Sequence, residues 1–363
     1  MILVDIMPEQ LSLESRAIGC LLGGACGDAL GYPVEHKKLE KIYEVYGENG
    51  IQAMQVEDGI AKITDDTQMT IYTAQGLLHA VLKNVDYDGY IREVHLSYLR
   101  WLTSLLKNEE EMICLYTGLY LPSELKENDL LANGKNIGLD KKMCRGGSTF
   151  DALLSGERYS VSNPPEEGIR CGTIMRSAPI GIFCHNNPEL AFRLGRDCGV
   201  LTHGVPSAYL AAGFMCMLLA YLLSGEELES SISRCMIYLK EQQDSEKLLK
   251  VLQKGIDLAK SQSDKALDDI QKIGLGWRAD ENLSISLYCL LRYKTNVREA
   301  LIASVNHSGD SDSVGAVCGN LIGAYAGIEN IPEDFLVVQF KELLIDQAKQ
   351  LIHSPCNLQY NIC

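Results

Sequence analysis

Residues 309–327 read GDSDSVGAVCGNLIGAYAG. After the acidic opening the stretch is free of charge for about four helical turns. Gly315, Gly319, Gly323 and Gly327 recur in it at every fourth position. A glycine inside a helix costs about 1 kcal/mol relative to alanine, so a regular stripe of them needs a reason. A spacing of four lines them up along one face, and a bare ridge lets another backbone come close. A matching stripe, Gly19, Gly23, Gly27 and Gly31, runs along the apolar segment near the other end of the chain. Two readings follow. The stripes serve close packing alone, or they mark central helices whose ends are brought to one site.

Working outward, helical periodicity dominates. It predicts helices over Leu13–Leu30, Thr67–Leu82, Tyr90–Leu106, Pro188–Gly199, Pro206–Leu223 and Leu228–Gln242. It continues over Glu246–Ser261, Asn282–Tyr293, Val297–Ser304, Ser313–Gly327 and Phe335–Ile352. Ile51–Val56 is the one candidate strand, and no βαβ rhythm follows it. Leu121–Gly147 and Ser155–Cys171 read as long irregular stretches, the kind that carry ligand loops. No linker or repeat divides the chain, so residues 1–363 read as a single all-α domain.

The formal charge of −15 argues against a general nucleic-acid binder, because phosphate backbones are held by Lys and Arg. The 13 cysteines are odd in number and never spaced Cys-x-x-Cys, and many sit in apolar runs, as do Cys20, Cys216, Cys289 and Cys318. They read as small buried hydrophobes. Met1 to Met7 carry no Lys or Arg, and no cleavage-like site follows. The expectation is a reducing, cytoplasmic protein. Val205 to Leu223 is uncharged, but Pro206 and Ser207 break its start and no basic flank marks an inside end. It reads as a buried central helix, with no membrane partner.

Two acidic clusters precede apolar helices: Thr64-Asp65-Asp66-Thr67 and Asp310-Ser311-Asp312-Ser313. Each alone reads as a helix N-cap, since Asp, Ser and Thr accept hydrogen bonds from the free N–H groups of a first turn. A cap needs one such side chain, however, not four in a row. If Asp65, Asp66, Asp310 and Asp312 converged they would repel one another. Divalent cations would remove that cost, and hard oxygen donors suit Mg²⁺ or Mn²⁺. Four carboxylates match two such ions, which activate water. Sequence spacing does not say whether the clusters meet. No His-Glu-x-x-His, zinc-type Cys/His or Gly-x-Ser-x-Gly pattern offers another chemistry.

Six motifs occur in one order: Gly23–Gly31 with Pro33-Val34-Glu35; Thr64–Met69; Gly172–Pro179; Leu201-Thr202-His203-Gly204; Gly276-Trp277 with Glu281; and Gly309–Ser313 with Gly315. Together they resemble the ADP-ribosylglycohydrolase family from Ala17 to about Gly327. The resemblance implies a compact orthogonal multi-helix bundle holding two Mg²⁺ or Mn²⁺ ions. By motif match the metal ligands are Thr64, Asp65, Asp66, Asp310, Asp312 and Ser313, with Ser313 where the family usually has Thr. Asp66, Asp65 and Glu35 carry the catalytic roles, Glu35 as a mobile acid/base or a lid. Exposed N–H groups in the small-residue loops at Gly147-Ser148 and Cys171-Gly172-Thr173 can cradle a pyrophosphate, with simple turn chemistry as the other reading, and the resemblance implies that His203 lies near the bound nucleotide. Many relatives carry a second His where Val205 stands here. Asp28 supports the site without being a ligand.

The implied reaction removes ADP-ribose from a modified acceptor, such as an Arg side chain, by cleaving the bond at the ribose anomeric carbon. An ADP-ribosyltransferase is then the functional counterpart. Two other readings stand beside it. One is a hydrolase of a small ADP-ribosyl metabolite or of ADP-ribosylated nucleic acid. The other is a non-catalytic, immunity-type relative that binds an ADP-ribosylating partner. Acceptor contacts are expected from Leu121–Gly147.

Overall fold

The computed structural model describes residues 11–105, 147–261 and 265–354. Among them are fifteen α-helices. They are α1 (Leu13–Gly31), α2 (Leu39–Tyr46), α3 (Asp65–Lys83), α4 (Tyr87–Leu105), α5 (Gly147–Leu154), α6 (Ala178–Phe183), α7 (Pro188–Gly199) and α8 (Pro206–Leu223). Then come α9 (Leu228–Lys240), α10 (Glu246–Lys260), α11 (Ala266–Ile273), α12 (Ala279–Tyr293), α13 (Val297–Val305), α14 (Ser311–Ala326) and α15 (Lys341–His353).

The two glycine-striped helices, α1 and α14, lie against each other in opposite directions. A Cβ on Gly19, Gly23 or Gly27 would collide with the backbone of Gly323, Gly319 or Gly315 respectively, and the collisions are mutual. Each pair sums to the same register, so the ridges mesh along their whole length. Both helices are buried on nearly all sides, as is α8 from Ser207 to Leu223. A helix surrounded by other helices has no polar face to present, which is why these segments look apolar all round. The windows Leu13–Val34 and Pro206–Leu223 are long and apolar enough to cross a bilayer, yet 89% and 94% of them are buried inside the protein. Outer helices keep a polar face. In α10 the buried residues are Leu248, Leu252, Gly255, Ile256 and Ala259, the i, i+4, i+7, i+8, i+11 pattern of one stripe.

Several boundaries differ from the periodicity. Of Ile51–Val56 only Val56 is in a strand. Ile51 is instead held by both arms of the Asn306 amide, its N–H donating to Oδ1 at 2.8 Å and its carbonyl accepting from Nδ2 at 2.9 Å. A two-stranded hairpin begins at the end of that range, pairing Val56–Glu57 with Ile60–Ala61. Phe335 closes a 3₁₀ turn, and the last helix starts only at Lys341 because Phe340 sits at φ 59°. Helices α2, α5, α6 and α11 escape the periodicity reading. They span eight residues or fewer, too short for a repeated apolar face. The described cysteines are free and buried.

Candidate active site

Helix α1 acts as the common anchor for both acidic clusters. Its Asp28 is fully buried and accepts from the Thr64 N–H at 3.0 Å, the Thr67 N–H at 3.1 Å and the Thr67 hydroxyl at 2.5 Å. Asp28 thus caps α3 from another helix, satisfying N–H groups its own first turn cannot. The last glycine of the stripe, Gly31, abuts the backbone of Ser311 and Asp312 at the start of α14. The chain leaving α1 is tied there too, since the His36 N–H donates to the Gly309 carbonyl at 3.3 Å. One helix end therefore gathers the starts of α3 and α14 and the loop carrying Glu35.

With Asp28 and Thr64 doing the capping of α3, the Asp65 and Asp66 carboxylates are left over. The Thr64 hydroxyl accepts from the Asp66 N–H at 3.3 Å. Asp66 Oδ2 is buried and has no hydrogen-bond partner. At α14, Asp312 Oδ1 accepts from the Ser313 N–H at 2.9 Å, whereas Asp310 makes no side-chain cap bond. Asp310 accepts instead from the Cys171 thiol at 2.8 Å, and that thiol lies 3.4 Å from Ser313 Oγ. Carboxylate oxygens of Glu35, Asp310 and Asp312 lie within 4.8 Å of one another. Capping alone does not account for this arrangement. An unpartnered buried oxygen among convergent carboxylates is the environment a hard divalent cation completes.

The Glu35, Asp65, Asp66, Asp310 and Asp312 carboxylates border one cleft of about 580 Å³. Burial and mutual repulsion push their protonation equilibria upward. Burial, then the Asp28 charge, raises Asp65 to about 8. Burial, then Asp310, raises Glu35 to about 7. Burial also holds Asp66 and Asp312 well above the usual carboxylate range, with Asp28 next in effect on Asp66 and Asp66 next on Asp312.

A sequence model of the ADP-ribosylglycohydrolase family matches residues 9–359. The chain belongs to the ADP-ribosylglycohydrolase family. It is 25% identical to the ADP-ribosylarginine hydrolase Tri1 of Serratia proteamaculans, over 96% of this chain and 81% of that protein. It is 23% identical to the ADP-ribosyl-[dinitrogen reductase] glycohydrolase of Rhodospirillum rubrum, over 90% of each. A solved structure titled as an ADP-ribosylglycohydrolase-related protein complex shares the fold, with TM-score 0.60 at 24% identity over 94% of this chain and 98% of the other.

The cleft gathers most of the residues expected from sequence. Glu35, Asp65, Asp66, Ser148, Cys171, Gly172, His203, Asp310, Asp312 and Ser313 line it. Thr64 is buried beneath, at the capping position of α3. Two expected substrate contacts lie off the cleft wall. Thr173 is fully buried and its hydroxyl donates to the Ala208 carbonyl at 3.0 Å, which ties the loop to α8. Gly147 opens α5 in an exposed position, with open space where a Cβ would be. Of the irregular stretch expected to contact the acceptor, all but Gly147 lies outside the described residues.

Other residues of the cleft were not among the expected site residues, although Trp277 belongs to one of the six motifs. The Trp277 ring stacks on His36, centroids 4.7 Å apart and planes 20° apart. Trp277 is set there by pairing of two loops, with the Cys171 N–H donating to its carbonyl at 3.2 Å. Tyr32, Lys37, Thr149 and Arg170 also face the cleft. A usable signal existed for Trp277, one of only two tryptophans and next to Gly276 at φ 79°.

The acidic cluster gives the protein a pH signature. Its folded state holds protons that an unfolded chain releases near pH 4. Stability from such raised groups is present on the acid side and is lost as pH rises through the folded values. Chelated protein is expected to lose thermal stability progressively above about pH 4, with Glu35 contributing up to about pH 7 and Asp65 up to about pH 8. Added divalent cation should restore it. Calorimetric scans at constant ionic strength measure this, and a flat profile would contradict the convergence of these carboxylates.

Proposed function

We propose that the chain is a Mg²⁺- or Mn²⁺-dependent hydrolase that releases ADP-ribose from an ADP-ribosylated protein side chain, with arginine as the acceptor. The observation that carries this reading is the unpartnered Asp66 Oδ2, buried in a cleft it shares with Asp65, Asp310 and Asp312. Thr64, Asp65, Asp66, Asp310, Asp312 and Ser313 offer oxygen donors suited to two hard cations. When bound, such cations supply charge neutralisation and acidify water. Arginine as acceptor is supported by the named activity of the Serratia relative.

In the proposed reaction a water oxygen bonds to the ribose anomeric carbon as the bond from that carbon to the acceptor nitrogen breaks. Asp66 orients the water and takes its proton. Positive charge developing on the ribose is stabilised by the surrounding carboxylates. Glu35, half-buried and raised to about 7, is poised to return a proton to the departing acceptor. Phosphate oxygens meet N–H and cationic groups at Arg170, Lys37 and His203, which border the same cleft. An ADP-ribosyltransfer reaction must supply the substrate.

Incubation with arginine-, serine- and nucleotide-linked ADP-ribose tests this. Turnover of the arginine linkage with added Mg²⁺ or Mn²⁺, abolished by a chelator, is expected. Preference for another linkage would replace the acceptor. No cleavage of any linkage at high protein concentration would remove the enzymatic reading and favour a non-catalytic binder.

A further inference from the structure

Arg176 is 1% exposed, and among the described residues no carboxylate forms an ion pair with it. Its Nη2 donates to Thr202 Oγ1 at 2.7 Å, its Nη1 faces the Met69 sulfur at 3.6 Å, and its guanidinium lies 4.2 Å from the centroid of the Tyr98 ring. Thr202 Oγ1 in turn lies 2.8 Å from His203 Nδ1. Arginine only donates hydrogen bonds, so the Thr202 oxygen accepts from Arg176. Thr202 is itself 1% exposed, and its own O–H needs an acceptor. His203 Nδ1 is the neighbour that can provide one, which leaves the ring proton on Nε2.

The ring is also held in place. A Cβ on Gly172 would come 2.9 Å from His203 Cε1, and a Cβ on Gly168 would come 2.7 Å from His203 Cα. Neighbouring backbone is tied down by the Gly204 N–H donating to the Glu167 carbonyl at 2.8 Å and the Val205 N–H to that of Gly168 at 3.2 Å. His203 borders the cleft together with Gly172 and Arg170.

We propose that Arg176 and Thr202 are positioning residues that lock His203 as the neutral Nε2–H tautomer, presenting a fixed hydrogen-bond donor to a phosphate oxygen of the substrate. The identity of that acceptor rests on the ADP-ribosyl reading above; the tautomer does not. A polyanion entering a cleft floored with carboxylates needs attraction from another wall. A neutral donor backed by a buried guanidinium supplies it without pairing to the carboxylates. Burial and the Arg176 charge both oppose protonation of the imidazole, holding it far below its ordinary range.

The test is ¹⁵N NMR of the full chain labelled at histidine, with the His203 signals assigned by their loss in His203→Gln. Wild-type protein and Thr202→Ser should both show the neutral Nε2–H pattern at pH 7. Thr202→Val, which keeps the shape but loses the hydroxyl, should show a mixture or the opposite tautomer. Calorimetry with ADP-ribose and Mg²⁺ should give about tenfold weaker binding for Thr202→Val and about wild-type binding for Thr202→Ser. An Nδ1–H pattern in the wild type overturns the proposal, and that measurement needs no variant to fold. An unchanged tautomer in folded Thr202→Val also overturns it. If wild-type protein shows the expected tautomer but fails to bind ADP-ribose, the lock stands and the ADP-ribosyl reading falls.

Discussion

Asp66→Asn and Asp312→Asn, made separately, are expected to lower kcat/KM by about 10³-fold or more while leaving the fold intact. Both carboxylates are buried in the cleft and held well above their ordinary range, because burial and neighbouring charges disfavour ionisation. That is a cost in the metal-free protein. Asparagine is nearly the same size and carries no charge, so the metal-free variants should melt at or above the wild-type temperature. With Mg²⁺ or Mn²⁺ the order reverses: the wild type gains stability by ligand linkage, and the variants gain little. Lost activity together with retained metal-free stability separates a damaged centre from a damaged fold. Turnover near the wild-type rate, or a full metal-induced rise in melting temperature in Asp66→Asn, would sink the assignment of this cluster as the catalytic centre.

The clusters were legible in sequence because each breaks an economical pattern. One capping side chain suffices at a helix start, and four polar groups stand there. The convergence was not legible, since spacing along a chain carries no information about distance between residues 66 and 312. What supplies it is Asp28, whose carboxylate reaches out of one helix to cap another, and the glycine ridge, which sets the depth of α14 against α1. The ridge was visible; the partner of each glycine was not. Thr173 shows the opposite failure. Its place in a small-residue loop beside Cys171 and Gly172 marks it for the cleft, but the tight 3₁₀ turn at Cys171–Thr173 directs its hydroxyl to Ala208. Turn geometry of that kind depends on which backbone lies behind the loop. Trp277 is placed by the pairing of its loop with that of Arg170, and His36 by a separate tie to Gly309, so their stacking was not visible in either motif alone.

Gly27→Ala is expected to destabilise the protein by about 3 kcal/mol or more and to weaken metal binding at a site that Gly27 does not touch. Alanine is the better helix former by about 1 kcal/mol, so helix propensity alone predicts stabilisation. Packing reverses the sign. The new methyl would overlap the Gly315 carbonyl and the Ala316 nitrogen, which are backbone atoms of a fully buried helix and cannot swing aside. The two helices would have to separate at the end that carries Asp310 and Asp312. Asp28 stands next to Gly27 and holds α3, so separation also shifts Asp66 relative to Asp312. A displacement of about 1 Å between groups that must act together can cost about 10²-fold in rate. Gly147→Ala is the matching control: the residue is helical, and a Cβ there meets open space, so it should be neutral or stabilising by up to about 1 kcal/mol. Urea unfolding gives the stability difference and calorimetric titration with Mn²⁺ gives the metal affinity. Equal stability of Gly27→Ala and wild type would mean that the helices yield at no cost. The ridge would then set neither the packing of α1 on α14 nor the alignment of the two acidic clusters.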